Sequence, residues 1–351
     1  MSKYYTISLK RHSISIIFVI FTISLVLFSK SNLYATKSGL KLWANNVVPS
    51  LFPFFIATNL LNHTNVIKHI SKYCNKFMRP IFNVPGECAY AFLLGIISGY
   101  PVGAKIVTDL RNSNLCTRDE GERMLCFTNN SGPLFIIGTV GITLYSNTSI
   151  GVLLLITHIL AAMTVGIILG LISKIKLKES VSNNYNLSYV SNSNKICIFS
   201  NLGTILTEAI LDASKTIIMI GGFVVIFSVI ISILNNSQIL KIASYILYPI
   251  LKIFNVSNSF STGILSGIIE LTNGVFFISN VANKAICVNI IITAFLLGFG
   301  GLSVMLQVLS ISSKSDLSIR KYLYGKLLQG IIAAVYTYIL VTLIPIFNLN
   351  L

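Results

Sequence analysis

Two short polar interruptions carry most of the residues with chemical potential. They are Ser98-Gly99-Tyr100-Pro101-Val102-Gly103-Ala104-Lys105 and Asn129-Asn130-Ser131-Gly132-Pro133, each set between apolar runs. A helix restarting after such a break presents free N–H groups and the positive end of its dipole, which together favour an anion. Asn129, Asn130 and Ser131 add directional hydrogen bonds, Gly132 permits close backbone approach, and Pro133 suits the first turn of the new helix. Lys105 stands one turn beyond Pro101. It either neutralises an anionic ligand, snorkels to headgroups, or pairs with Asp109 at i+4. Glu270 is the most isolated carboxylate, with Ile264–Ile269 before it and Leu271 after it. A carboxylate at that depth is costly, and reads as a cation or proton site or as the partner of a buried lysine such as Lys105. Thr272, Asn273 and Gly274 would share its surroundings.

Other chemistries lack support. The six cysteines show no C-x-x-C spacing and read as small buried hydrophobes, and the four histidines are scattered, so neither metal nor cofactor is expected. No paired-carboxylate hydrolase, nucleophile elbow or phosphate-cradling loop is present, which argues against an enzyme. The mixed charges of Arg118–Arg123 read as a solvated helix start.

The elements that must position these residues are membrane helices. Hydrophobic residues make up 54% of the 351 positions and charged residues 10%, which excludes a soluble or disordered chain. Runs long enough to span occur at Ile14–Phe28, Val47–Leu61, Ile150–Ile172, Ile217–Leu234 and Leu327–Ile346. The formal charge of +16 lies mostly in residues flanking these runs, so it reads as topology and contact with the lipid bilayer, with no nucleic acid. Lys3, Lys10 and Arg11 precede the first run, which is read as a retained helix because Leu33-Tyr34-Ala35 makes a poor cleavage site. Val66–Pro80 places Lys68, Lys72, Lys76 and Arg79 at helical spacing opposite Ile67, Ile70 and Phe77, as an interfacial helix would.

The halves on either side of a Ser- and Asn-rich stretch resemble each other. Ile81-Phe82-Asn83-Val84 recurs as Ile253-Phe254-Asn255-Val256, and at the same offset Gly95 aligns with Gly267. The first break then falls opposite Glu270–Gly274, and the second opposite Gly298–Gly301. With the basic clusters at the N-terminus, Lys68–Arg79, Lys174–Lys178 and Lys314–Lys326 in the cytoplasm, matching spans run in opposite directions. The expected fold is an all-α polytopic membrane protein. Its two inverted-topology repeats would carry broken or re-entrant helices at the midplane. An N-terminal transmembrane helix would occupy 1–35, a first gate-like repeat 36–173, a polar cytoplasmic linker 174–198, and a second gate-like repeat 199–351.

The motifs Ile97–Lys105, Glu120–Arg123 and Asn129–Gly138, with Leu42-Trp43 and Val48–Phe54, resemble the YlbJ-type sporulation integral membrane proteins. That family is also called stage V sporulation protein V and carries nucleoside-transporter-like gate domains. The resemblance spans about Leu40 to Ser310 and is most specific in the first half. It implies a role in endospore formation in the mother-cell-derived membrane around the forespore, and movement of dipicolinic acid toward the forespore.

A transporter of a small organic anion, working by alternating access, is therefore the expected function. Ser98, Gly99, Tyr100, Asn129, Asn130, Ser131 and Gly132 would bind carboxylates, Lys105 would balance charge, and Glu270 with Thr272 and Asn273 would couple or pair. A nucleoside or cation permease of the same architecture and a non-transporting membrane scaffold are the alternatives.

Overall fold

The structure, a computed structural model, describes residues 2–62, 64, 66–179, 202–253, 256–281 and 286–343. The expected linker beyond residue 179, Cys197, Phe254 and Asn255 of the repeated tetrapeptide, and the tail after Leu343 lie outside these residues. The described residues are helical, without strands. The N-terminal run forms α1 (Ser2–Leu27) and turns by 98° into α2 (Ser29–Leu42), so residue 35 falls inside the second helix. A π turn at Trp43–Val47 leads into α3 (Val48–Asn62), and α4 (Val66–Phe77) follows with Lys72 and Lys76 exposed.

Four helices are long and apolar enough to cross a membrane, at Thr148–Ile175, Leu202–Asn236, Cys287–Ser312 and Arg320–Leu343; the bent pair Ser15–Leu27 and Ser29–Asn45 would make a fifth. The chain is thus a polytopic helical membrane protein. Val47–Leu61 is shorter than a span, because α3 ends at Asn62.

Several helices come in broken pairs, one of which, Ile286–Phe299 with Gly301–Ser312, makes up the span Cys287–Ser312. In the first half α5 (Cys88–Ser98) and α6 (Val102–Asn112) flank one break, and α7 (Arg118–Thr128) and the π-helical segment Leu134–Leu144 flank another, before α8 (Thr148–Glu179). In the second half α9 (Leu202–Asn236) and α10 (Ile239–Ile253) precede the pair α11 (Ser261–Ile269) and α12 (Leu271–Ser279). The pair α13 (Ile286–Phe299) and α14 (Gly301–Ser312) and the closing α15 (Arg320–Leu343) complete it. The order of elements matches across the halves.

Glycine lets the broken pairs close on each other. A Cβ on Gly95 or Gly103 would lie 1.8 or 2.1 Å from the Thr128 carbonyl oxygen, so α5 and α6 press directly on the end of α7. Gly99, at φ +82°, brings its backbone against that of Gly132. In the second half a Cβ on Gly301, at φ +81°, would meet the Gly267 carbonyl at 2.9 Å. No larger residue permits these approaches, because each would place carbon inside a neighbouring backbone.

The halves are packed together rather than side by side. The Trp43 indole donates to the Ile217 carbonyl of α9 at 3.0 Å, while α15 lies against both α7 and α8. Thr157 and Thr337 meet at 3.0 Å within the α8–α15 contact.

Candidate functional site

Residues of three breaks, with α14 beyond the fourth, line a cavity of about 530 Å³. Its size lies within the usual range of small-molecule pockets. Of the residues expected in a site, Ser98, Gly99, Tyr100, Gly132, Glu270 and Thr272 line it. The peptide bond between Tyr100 and Pro101 is cis. Ser303, Val304 and Gln307 of α14 and Ile220 and Val224 of α9 complete the second half's share. Two buried polar atoms in this lining, Ser98 Oγ and Gln307 Oε1, have no partner in the protein. One comes from each half. Buried polar groups are nearly always hydrogen-bonded, so these two are available to a ligand or to water.

One wall was not legible from composition. Leu134, Phe135, Gly138, Thr139, Ile142 and Thr143 all face the cavity, at spacings of four residues. Positions four apart stay close to one face of a helix, so this segment presents a continuous strip to the cavity.

Asn129, Asn130 and Ser131 sit behind the lining, fully buried. Their partners come from α8 and α15. The Asn129 amide donates to the Tyr322 hydroxyl at 2.9 Å, and Lys326 Nζ donates to the Asn129 carbonyl at 3.0 Å and to Gln329 Oε1 at 2.6 Å. Gln329 in turn donates to Asn130 Oδ1 at 3.0 Å, and Asn130 donates to the Phe127 carbonyl at 2.7 Å. The Ser131 N–H donates to His158 Nε2 at 3.1 Å. Tyr322, Lys326 and Gln329 recur at spacings of four and three, so one face of α15 holds the break. Lys326, expected as part of a cytoplasmic cluster, is instead 2% exposed. A basic residue close to the charged start of a span reads as a flank, and only packing against a polar break reveals otherwise.

Glu270 is confined to a one-residue break, with Thr272–Gly274 already inside α12. Its carboxylate caps that helix, accepting from the backbone N–H of Thr272 at 3.0 Å and of Asn273 at 2.8 Å, and from the Asn273 side chain at 2.9 Å. The N-terminus expected to receive an external anion is therefore filled by the protein's own carboxylate. The expected pairing with Lys105 does not occur. Lys105 donates to Asn59 Oδ1 at 2.8 Å, Asn59 donates to the Ala209 carbonyl of α9 at 3.2 Å, and Lys105 does not line the cavity. No ion pair joins Lys105 to Asp109 among the described residues either.

Arg118–Arg123 differs from expectation. Thr117 and Glu120 form a reciprocal capping box, but Glu120, Glu122 and Arg123 are buried, not solvated. Arg79 pairs with Glu120 at 2.5 Å, Arg118 with Glu122 at 2.9 Å, and Asp119 with both Arg123 and Lys321. Lys321 also reaches Glu122 at 3.1 Å, and Arg111 grips Asp316 with two bonds of 2.8 and 2.9 Å. These contacts tie the α6–α7 region to the entrance of α15. The Arg111 hydrogen bond holds the Asp316 carboxyl below the usual carboxylate range. Burial pushes Glu122 up, but hydrogen bonds from Arg118, Lys321 and the Ser318 backbone outweigh it and leave that carboxyl lowered too.

Cys88, Cys116 and Cys126 are buried and all described cysteines are free, and no cluster of potential metal ligands occurs among the described residues.

Residues 44–175 match the model of the Gate family, described as nucleoside recognition. The chain is 33% identical over 331 residues to the sporulation integral membrane protein YlbJ of Bacillus subtilis (strain 168), an alignment covering 92% of this chain and 81% of that protein. No solved structure matches.

Proposed function

This chain belongs to the family of YlbJ-type sporulation integral membrane proteins, and from that premise we propose that it is a permease for a small organic anion, with dipicolinic acid as the candidate substrate. It would act in the mother-cell-derived outer forespore membrane, moving its substrate toward the forespore. The observation that carries the transport reading is the cavity bounded by broken helices from both halves, with Ser98 Oγ and Gln307 Oε1 left without protein partners. Irregular backbone at membrane depth persists only where protein or a cavity covers it. In this reading Ser98, Gly99, Tyr100, Gly132, Glu270 and Thr272 touch the substrate, and Asn129, Asn130, Ser131 and Asn273 hold the wall in place. The two halves would be repeats of opposite orientation that alternately open the cavity to each side.

A second reading has its own support. The lining contains one carboxylate, Glu270, and no Lys, Arg or His, which suits a neutral nucleoside-like solute. Proteoliposomes loaded with purified protein separate the two. Saturable uptake of pyridine-2,6-dicarboxylate, uncompeted by nucleosides, is the expected result. Saturable uridine uptake without dicarboxylate uptake establishes the second reading, and uptake of neither removes both.

A further inference from the structure

If the transported solute is an anion, a nearby positive charge would offset it, and no lining residue supplies one. We infer that Lys326 is the compensating charge of the site, and that the negative ligand is the counter-ion this lysine lacks in the empty protein; the inference rests on the anion-permease reading.

Lys326 stands where two breaks meet. Its ammonium nitrogen donates to the carbonyl of Asn129, which opens the second break, and its Cε lies 3.8 Å from where a Cβ on Gly300, in the fourth, would be. Gly132 at the end of the second break and Ser303 just after the fourth both line the cavity. No described carboxylate forms an ion pair with it. The neighbouring titratable groups are a thiol, a phenol and an imidazole, from Cys126, Tyr322 and His158, and none is anionic at neutral pH. Its remaining contacts are the neutral oxygens of Asn129 and Gln329. Buried lysines are normally paired with a carboxylate, because an uncompensated charge in a low-dielectric interior is costly. Here Gln329 occupies the position a structural partner would take, with an oxygen at 2.6 Å. A neutral amide there holds the side chain without cancelling its charge.

The geometry also explains why Lys326 is set one layer back. An exposed ammonium in the cavity would form a direct ion pair with a dicarboxylate and slow its release. Behind the peptide groups of the break, its field reaches the ligand while Ser98, Gln307 and backbone groups make the contacts.

The test measures equilibrium affinities of the purified full chain for pyridine-2,6-dicarboxylate and pyridine-2-carboxylate, at fixed pH and salt. Lys326→Met is expected to weaken dicarboxylate binding by about tenfold or more, and to shrink the preference for the dicarboxylate over the monocarboxylate. Gln329→Glu keeps the lysine and its hydrogen bond but supplies an internal carboxylate, and is expected to have the same effect. Equal losses for both ligands in both variants reduce Lys326 to a packing role and overturn the inference, as does an unchanged preference. If Lys326→Met fails to fold, Gln329→Glu alone decides. Wild-type protein that binds neither carboxylate overturns the anion-permease reading as well, an outcome distinct from binding with unchanged preference in the variants.

Discussion

Gly138 and Glu270 face the same cavity with opposite consequences for substitution. A Cβ added at Gly138 meets nothing within 4 Å. Gly138→Val should therefore fold normally while occupying ligand space, lowering dicarboxylate affinity roughly tenfold, as a few misplaced methyl groups in a pocket do. Calorimetric titration with a parallel thermal unfolding scan checks both halves of that statement. Glu270→Gln removes the one negative side chain of the lining and keeps only one of the two oxygens that accept from the Thr272 and Asn273 N–H groups. Anion affinity should rise several-fold, and α12 should lose about 0.3–1 kcal/mol of charge–dipole stabilisation. A fall in anion affinity would show that the carboxylate itself organises the bound ligand. At this scale the sequence was informative where a residue type is costly in its surroundings. Glu270 and Asn129–Ser131 stood out against apolar neighbours and lie at the cavity or directly behind it. Lys326, Gln329 and His158 did not, because a single basic, amide or imidazole side chain in a span has common bland explanations, and only the three-dimensional approach of α8 and α15 to the second break distinguishes them.

Among the helices, the contacts that decide geometry are made by backbone. Gly103→Ala would drive a methyl group to 2.1 Å from the Thr128 carbonyl, which no rotamer change relieves. Overpacking typically costs about 1–3 kcal/mol, occasionally more. This variant is expected at or beyond the upper end, with a large fall in the unfolding midpoint and in recovered protein. Gly222→Ala is the control on a different helix. Its Cβ enters open space, and the helix propensity gained is worth roughly 0.5–1 kcal/mol. Equal stability of the two variants would refute the close packing of α6 on the end of α7. Breaks were readable because Gly, Pro and Asn interrupt apolar runs. The right-angle turn after α1 was not, since Leu27-Phe28-Ser29 contains neither glycine nor proline. The π-helical register of Leu134–Leu144 was equally silent, because one extra residue per turn leaves composition unchanged.

For the molecule as a whole, the charged cluster at the mouth of α15 couples the halves and gives their docking a pH dependence of definite sign. Asp316 and Glu122 both titrate lower in the folded protein than when free. A depressed carboxylate contributes stability that is fully present above its unfolded value, about 3.9 for Asp and 4.3 for Glu, and is lost as pH falls through the lower folded value. Hydrogen-exchange protection of the segment joining α14 to α15, taken relative to the intrinsic rate at each pH, should stay constant from pH 7 to about pH 5 and fall below about pH 4. A protection factor that is unchanged between about pH 5 and about pH 3 would contradict these pairings. Arg111→Ala should move the onset of loosening upward in pH. In the sequence this cluster reads as a solvated helix end, because i,i+4 charge pairs within one helix look the same whether or not a second helix covers them.

The stripe formed by Tyr322, Lys326 and Gln329 makes α15 a lever on a wall it does not itself line. Three hydrogen bonds fasten that stripe to Asn129 and Asn130, at 2.9, 3.0 and 3.0 Å. Such bonds are lost beyond about 3.5 Å, so a withdrawal of α15 from the break by little more than half an ångström either breaks all three or draws the second break with it. A rotation by one residue, about 100°, would present three different side chains to the same spot. A displacement of the closing helix of the second half would thereby be passed to the cavity wall of the first.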